Sequence, residues 1–396
     1  MKKKSAIFNL CNVYMFLWCI YTLHWTNLAL PIIEPISNVI LGLALCISII
    51  FTVRALRTPH IPSLFKYTNW LILFFLGYGM IYITVGPEYF LFGSPVKKGT
   101  YLVSFLRSFL PIYTFYYFTL RGWLTLGTAR FWAIVFLLEF IGIYFHSLFL
   151  HSLISSGNEF TNNIGYLFCI IAPCVFLFRK RMIVQLLFLS VCLFFVVMSL
   201  KRGALLILLC VIVMYVKITF KDWRGIKKLY FGLAILLGIF IGAHFLINRF
   251  YESERFRQRI EDTLEGNTSH RDVLVKEFLD YYETKANFSQ QVFGSGADST
   301  LGISDNWAHN DWIEILICQG FVGALVYLAF WVGFYKQWRS TNDLISKNLL
   351  GAIFIVYFLR TFFSMSYSMI LPIASMALGF ALAREQMRKY PTLICR

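Results

Sequence analysis

Residues 182–216 read MIVQLLFLSVCLFFVVMSLKRGALLILLCVIVMYV and contain just two charged side chains, Lys201 and Arg202. A single helix of this length would be about 50 Å long, whereas the hydrocarbon core of a bilayer is about 30 Å thick. Such a helix would also bury both cations, at a cost of about 2.5–3.5 kcal/mol each. Two membrane helices joined by a tight turn at residues 199–203 avoid both problems. The stretch therefore predicts a membrane hairpin.

The rest of the chain has the same character. Of its 396 residues, 58% are apolar and 14% are charged, against roughly 45–50% and about 25% in soluble domains. This composition excludes a single soluble globule. We expect an all-α, polytopic integral membrane protein with about 12 transmembrane helices and one large outer loop. The predicted helices lie near residues 6–26, 33–53, 68–86, 101–120, 130–149, 163–178, 182–200, 203–220, 229–247, 311–335, 348–366 and 369–383.

The placement of the basic residues predicts the topology. Most of the 36 Lys and Arg residues fall at the termini and in alternate loops, which the positive-inside rule assigns to the cytoplasm. Both termini are therefore expected to be cytoplasmic. The chain then divides into nine transmembrane helices over residues 1–247, a large outer loop over 248–310, and three transmembrane helices with a short cytoplasmic tail over 311–396. Because the net charge of +16 is spread over short clusters, nucleic acid is not an expected partner.

The outer loop contains more than half of the chain's 20 acidic residues and one amphipathic segment. Leu274, Phe278, Tyr281 and Tyr282 recur there at helical spacing, with charged residues on the opposite face. We expect an amphipathic helix that lies on the membrane or on the helix bundle.

Four cations are candidates for binding an anionic group. Lys201 and Arg202 would lie beside the outer lipid headgroups, where such side chains bind phosphate oxygens; the alternative is that they only end two helices. Arg271 precedes the amphipathic segment, and its alternative is a solvated loop residue beside Asp272. Arg360 lies inside a predicted span, where a cation is a functional candidate by default.

A candidate base precedes the helix predicted at residue 311. His309 is flanked by aromatic residues, and an imidazole with a pKa near neutrality is suited to take a proton from a sugar hydroxyl. The alternative is an interfacial histidine with no role. Asp311 and Glu314 stand three apart at the helix start, so capping and the helix dipole explain them without function. The spacing of His and Cys residues predicts no metal site.

Together these motifs resemble the bacterial O-antigen ligase and O-antigen polymerase superfamily. The resemblance covers about residues 182–335 and rests on the order of short motifs: Arg202 and Gly203 in the outward turn, Arg271 before a helix, Gly294 and Gly296 in a Gly-x-Gly, His309 and Asn310 opening a helix, and the Gly320 and Gly323 pair. One departure is Lys201, which stands where the family usually has Ser.

The resemblance implies a metal-independent glycosyltransferase that needs no cofactor. Its donor would be an undecaprenyl-diphosphate-linked glycan at the outer face of the bacterial cytoplasmic (inner) membrane. The diphosphate leaves while an acceptor hydroxyl attacks the anomeric carbon. His309 would be the catalytic residue, and Arg202 and Arg271 would hold the diphosphate, with Lys201 and Arg360 as further binding residues. The supporting residues would be Gly294, Gly296, Asn310 and Glu314.

We expect a polymerase that transfers repeat units of O-antigen, capsule or exopolysaccharide onto another lipid-linked glycan. The alternative is a ligase that transfers the glycan to the lipid A core, because the motifs do not separate the two. A flippase or transporter suits the intramembrane Arg residues but not an outer loop that holds the motifs, and a scaffold for an export complex is a third hypothesis. The expected partners are undecaprenyl-diphosphate-linked glycans, membrane lipid, and other polysaccharide export or chain-length proteins.

Overall fold

The computed structural model describes residues 9–25, 33–91, 93–154, 163–222, 271–365, 367 and 370–391, with separate residues between 225 and 261. Most of the predicted helix at 229–247 and most of residues 248–270 lie outside the described residues. Within the described residues the fold is all-α apart from one two-stranded ribbon.

The described residues up to 222 form eight helices: α1 (Leu10–Trp25), α2 (Ile33–Leu56), α3 (Ser63–Val85), α4 (Gly99–Leu120), α5 (Leu126–Ile154), α6 (Gly165–Ile171), α7 (Met182–Met198) and α8 (Arg202–Asp222). The ribbon between α3 and α4 pairs β1 (Phe90–Leu91) with β2 (Ser94–Pro95). After residue 270 the helices are α9 (Arg271–Asp280), α10 (Phe288–Phe293), α11 (Leu301–Ser304), α12 (Asp311–Ser340), α13 (Leu344–Phe363) and α14 (Pro372–Lys389).

Six of the described helices are long and apolar enough to cross a membrane, namely α2, α3, α5, α8, α12 and α13. Shorter apolar helices occur in α1, in α7, and in α6 together with the 3₁₀ segment Ala172–Phe178 that follows it. The 3₁₀ segment begins beside Pro173, whose missing N–H interrupts regular helical bonding. These helices confirm an all-α polytopic membrane protein.

The helices α4 and α14 form the centre of the bundle and are buried along most of their length. They pack closely because α14 presents Gly379 to the backbone of α4. A Cβ atom there would lie 2.6 Å from the carbonyl oxygen of Ile112 and 2.7 Å from the amide nitrogen of Tyr116. α13 packs against this centre through α14.

The hairpin predicted at residues 199–203 is confirmed. α7 ends at Met198 and α8 begins at Arg202, and Leu200 takes a φ of 54° in the turn between them. The first residue of α6 packs against the turn, since a Cβ atom on Gly165 would lie 2.8 Å from the Cβ atom of Ser199. α6 therefore packs directly against the turn that precedes Arg202.

Candidate functional site

The segment that follows α10 is docked into a break in α12. Gly320 interrupts that helix with φ 68° and ψ −168°. Just before the break, the carbonyl of Ile317 accepts from the amide of Ser295 at 2.9 Å, and the carbonyl of Cys318 accepts from the amide of Gly296 at 3.0 Å. Two carbonyls of α12 thus accept from the backbone of residues 295–296 instead of from amides of their own helix.

Glycine is required on both sides of this contact. Gly294 and Gly320 have φ values of 82° and 68°, a region that disfavours other residues. A Cβ atom on Gly294 would overlap the carbonyl of Cys318, and one on Gly320 would lie 2.5 Å from the carbonyl carbon and oxygen of Val292. The docked segment leads through α11 to His309, so this contact determines where the loop around His309 begins.

The start of α12 differs from the sequence prediction. Asn310 caps the helix, since its side-chain oxygen accepts from the amides of Trp312 at 2.9 Å and Ile313 at 3.3 Å. The prediction that Asp311 and Glu314 cap the helix is therefore wrong, although both lie in its first turn, where the helix dipole favours a carboxylate. Both carboxylates are fully buried instead, because each accepts hydrogen bonds from inside the protein.

Glu314 binds the loop that precedes the candidate base at two points. One carboxylate oxygen accepts from the hydroxyl of Thr300 at 2.8 Å, and the other accepts from the backbone amide of Ala308 at 2.8 Å. Ala308 precedes His309, which takes a φ of 50°. Glu314 thus positions His309 through the backbone of its neighbour.

His309 is half-buried and lies within reach of two cations. Burial lowers the pKa of the His309 imidazole below its ordinary value, and the charges of Arg271 and Lys201 lower it further. These charges come from the first residue of α9 and from the hairpin turn. Both effects favour the neutral imidazole, which is the form that can accept a proton.

Two of the predicted cations meet at the end of α13. Arg271 donates to the carbonyl of Phe363 at 2.6 Å, and the hydroxyl of Tyr166 donates to the same oxygen at 3.4 Å. Arg360 is 5% exposed, and its guanidinium carbon lies 5.6 Å from the centroid of the Tyr166 ring. It also donates to the carbonyl of Met365 at 3.3 Å.

The hairpin turn between α7 and α8 also packs against Tyr166 and Phe363. A Cβ atom on Gly203 would lie 2.7 Å from the hydroxyl oxygen of Tyr166 and 3.0 Å from the Cβ atom of Phe363. The neighbouring Arg202 is half-buried at the start of α8. Arg271 and Arg360 thus lie beside Phe363 and Tyr166, and the charges of Arg271 and Lys201 act on His309. Arg202 directly precedes Gly203 at the start of α8. An anionic group bound there would be held by side-chain charge.

The amphipathic helix lies on the protein. Phe278 is fully buried and packs against Ala308 and Ile317. Leu274 and Tyr281 pack at the edge of the same small cluster. The apolar face of α9 therefore holds the loop before His309, and this same packing brings Arg271 into the site.

Several site residues had no signal in the sequence. Tyr166 is one of many tyrosines in apolar segments, and Thr300 is one of several hydroxyl residues in a loop. The carbonyl of Phe363 is a backbone group, and residue type does not predict that it accepts from Arg271 and Tyr166. Among the described residues, no group of three or more His, Cys, Asp or Glu side chains is placed to hold a metal ion.

Comparison with known families gives a match to one part of the chain. Residues 186–328 match the family model described as O-antigen ligase, a range that includes every site residue above except Tyr166, Arg360, Phe363 and Met365. No curated protein matches the chain. Residues 186–328 are therefore similar to the O-antigen ligase family, and this match supports a membrane protein of the O-antigen ligase or polymerase type.

Proposed function

We propose that the protein is a glycan polymerase that transfers undecaprenyl-diphosphate-linked oligosaccharide units onto another lipid-linked glycan. The reaction would take place at the outer face of the cytoplasmic membrane, with both termini of the chain on the cytoplasmic side. The observation that carries the proposal is the position of His309, which Glu314 holds through the amide of Ala308, in a site where the charges of Arg271 and Lys201 act on the imidazole. The transfer needs a base for the acceptor hydroxyl and cations for the leaving diphosphate in one site.

The cations act on the leaving group. When the bond between the anomeric carbon and the diphosphate breaks, its electron pair goes to the diphosphate oxygen and negative charge builds there. Guanidinium groups held in place before the reaction stabilise this charge without reorganisation. Arg271 is held by the carbonyl of Phe363, and Arg360 is buried beside Tyr166. Arg202 and Lys201 add charge from the hairpin turn.

The imidazole acts on the acceptor. A hydroxyl of the acceptor sugar gives its proton to His309 while its oxygen forms the new bond to the anomeric carbon. Glu314 and Asn310 support this step by fixing the backbone on either side of His309. Gly294 and Gly296 support it by docking the preceding segment on α12.

A ligase is the second candidate, because the family model is itself described as O-antigen ligase. It would use the same donor and the same residues. The acceptor would be the lipid A core instead of a second lipid-linked glycan. Polysaccharide export and chain-length proteins remain proposed partners of either enzyme.

Complementation tests the proposal. A strain that lacks the gene would receive wild type or His309→Ala, and its surface glycan would be run on a gel beside its lipid-linked intermediates. We expect the inserted mutant to leave single repeat units. Long chains on the lipid carrier that never reach lipid A would indicate the ligase, and normal glycan from the mutant would refute the transferase mechanism.

A further inference from the structure

A cleft lies between α3 and α12, in the membrane-spanning part of the bundle. Its volume is about 560 Å³, within the range of roughly 300–1,000 Å³ that is usual for ligand pockets. The side chains that line it carry no charge. α3 contributes the rings of Tyr67, Trp70 and Phe74, and α12 contributes Leu325, Val326 and Ala329. The proposed transfer mechanism makes no use of this cleft.

The two helices touch at both ends of the cleft and separate between these contacts. Towards the end of α12, a Cβ atom on Gly333 would overlap the ring of Tyr67. Towards the break in α12, a Cβ atom on Gly323 would lie 3.4 Å from the ring of Phe74. The cleft is therefore built into this helix pair and is closed at both ends.

The end of the cleft at Phe74 borders the segment that leads to His309. The ring of Phe74 packs on the ring of Tyr78, with centroids 4.9 Å apart. The hydroxyl of Tyr78 donates to the carbonyl of Phe293, the residue just before the segment that docks at Gly320. A ligand in the cleft would thus lie directly beneath the loop that carries the candidate base.

The cleft and the diphosphate site lie on different faces of α12. Ala329 lines the cleft on the side of α3. Trp331 packs on Phe354 of α13 instead, with ring centroids 5.7 Å apart. The end of α13 carries the Phe363 carbonyl that binds Arg271. A ligand of the cleft would therefore approach the site from the side opposite to the leaving group.

The cleft lies deep in the membrane. α3 has 23 residues, and Trp70 lies about 22 Å along this helix from Val85 at its outer end. The hydrocarbon of one leaflet is about 15 Å deep, half of a core of about 30 Å. In the proposed topology, an acyl chain of the outer leaflet ends above Trp70, whereas the much longer chain of a polyprenyl lipid extends past it.

We propose that this cleft binds the polyprenyl chain of the acceptor, the substrate that stays lipid-linked during transfer. The inference rests on the proposed function, in which two lipid-linked glycans meet at His309. The double bond of each isoprene unit does not rotate, so this chain loses less conformational freedom in a rigid cleft than a saturated acyl chain does. The rings of Tyr67, Trp70 and Phe74 provide a large apolar contact area for it.

The test uses full-length protein reconstituted in vesicles, with Ala329→Phe to fill the cleft. Ala329 is exposed on α12, so the added ring does not disturb the core. Leu328→Phe is the matched control, because Leu328 is the neighbouring residue, is 46% exposed and does not line the cleft. Trp70→Ala, with Phe131→Ala on α5 as its control, removes one wall of the cleft; both side chains are more than half exposed.

Two acceptors with the same glycan separate chain binding from sugar binding. One carries a polyprenyl monophosphate, which leaves too poorly to serve as a donor, and the other carries a short water-soluble alkyl group. We expect the KM for the polyprenyl acceptor to rise about tenfold in Ala329→Phe and by a smaller factor in Trp70→Ala, because apolar contact with the chain is lost. The KM for the short acceptor, and the donor KM at saturating short acceptor, stay at wild-type values.

A KM for the polyprenyl acceptor that is equal in Ala329→Phe and Leu328→Phe would overturn the inference. A rise in the donor KM instead would mean that the cleft holds the donor chain, and would overturn the assignment to the acceptor. A wild type that extends chains, with variants at the wild-type KM, refutes the cleft site alone. A wild type that extends no chain from either acceptor refutes the proposed function.

Photolabelling identifies the kind of lipid in the cleft. A polyprenyl phosphate that carries a diazirine on its chain should label the segments of α3 and α12 around Trp70 and Ala329. Excess unlabelled polyprenyl phosphate should suppress this labelling, whereas excess phosphatidylethanolamine should not. Equal suppression by the two lipids would show an ordinary membrane lipid in the cleft and would overturn the inference.

Discussion

Replacing Gly320 by alanine would test whether the break in α12 holds the site together. The substitution places a Cβ atom 2.5 Å from the carbonyl group of Val292, on a residue whose φ is 68° and ψ is −168°. This backbone region is accessible almost only to glycine, and another residue there costs about 1–3 kcal/mol.

The clash adds to this cost. The backbone of residues 292–294 must move away, and the two hydrogen bonds from Ser295 and Gly296 to α12 are then lost. Each contributes about 0.5–1.5 kcal/mol, so the total loss is about 2–6 kcal/mol. The displaced segment leads to His309. We therefore expect the transfer rate to fall even at temperatures where the variant is still folded.

The assay combines the apparent unfolding temperature in detergent with extension of a lipid-linked glycan. Gly77→Ala is the matched control, because α3 leaves open space around that residue. Alanine is preferred to glycine in a helix by about 0.5–1 kcal/mol, so the control keeps its stability and activity. If Gly320→Ala has the same unfolding temperature and the same extension activity as Gly77→Ala, the docking contact at Gly320 does not hold the site together.

Three further changes have distinct expected results. Lys201→Met removes a positive charge that lowers the pKa of His309, so this pKa rises and the acid limb of the activity profile moves to higher pH. Arg271→Lys keeps the charge but loses the planar guanidinium group, which can donate two parallel hydrogen bonds to phosphate oxygens. Binding of a polyprenyl diphosphate should therefore weaken about tenfold. Asp343→Asn removes the negative charge and one of the two oxygens that accept from Arg384, at 3.1 and 3.0 Å, and should cost about 1 kcal/mol of stability at neutral pH. Burial opposes ionisation of Asp343, but bonds from Arg384 and a serine outweigh it and lower its pKa to about 2, so this stabilisation is present above pH 4 and is lost as the pH falls towards 2.

Each of these changes has a control. Lys201→Arg keeps the charge and should leave the acid limb in place, whereas an unmoved limb in Lys201→Met contradicts the electrostatic argument. Unchanged diphosphate binding in Arg271→Lys would remove this residue from the binding site. A stability loss in Asp343→Asn that persists at pH 2 would mean that the carboxylate acts through packing instead of charge.

Local sequence patterns predicted the elements whose cause is local. Lys201 and Arg202 break an apolar stretch that is too long for one span, and the break is found there. The spacing of Leu274 and Phe278 predicted an amphipathic helix, and Phe278 is buried on the bundle. These features depend on helix length and period, which the sequence displays directly.

The contacts that complete the site are long-range and were not predicted. The carbonyl of Phe363 holds Arg271 across 92 residues of sequence, and Gly320 accommodates a segment that lies before α12. Glu314 looked like a first-turn carboxylate and was interpreted as a cap, yet its partners come from Thr300 and Ala308. Neither the backbone acceptor nor the burial of Glu314 has a signature in residue type or spacing.

The most direct test of the account follows one transfer reaction with purified protein. Wild type and His309→Ala would be given a lipid-linked repeat unit, and both chain extension and release of the lipid diphosphate would be measured. We expect wild type to produce longer lipid-linked chains and to release one lipid diphosphate for each unit added. His309→Ala should still bind the donor but extend nothing. Extension at the wild-type rate by His309→Ala would contradict it.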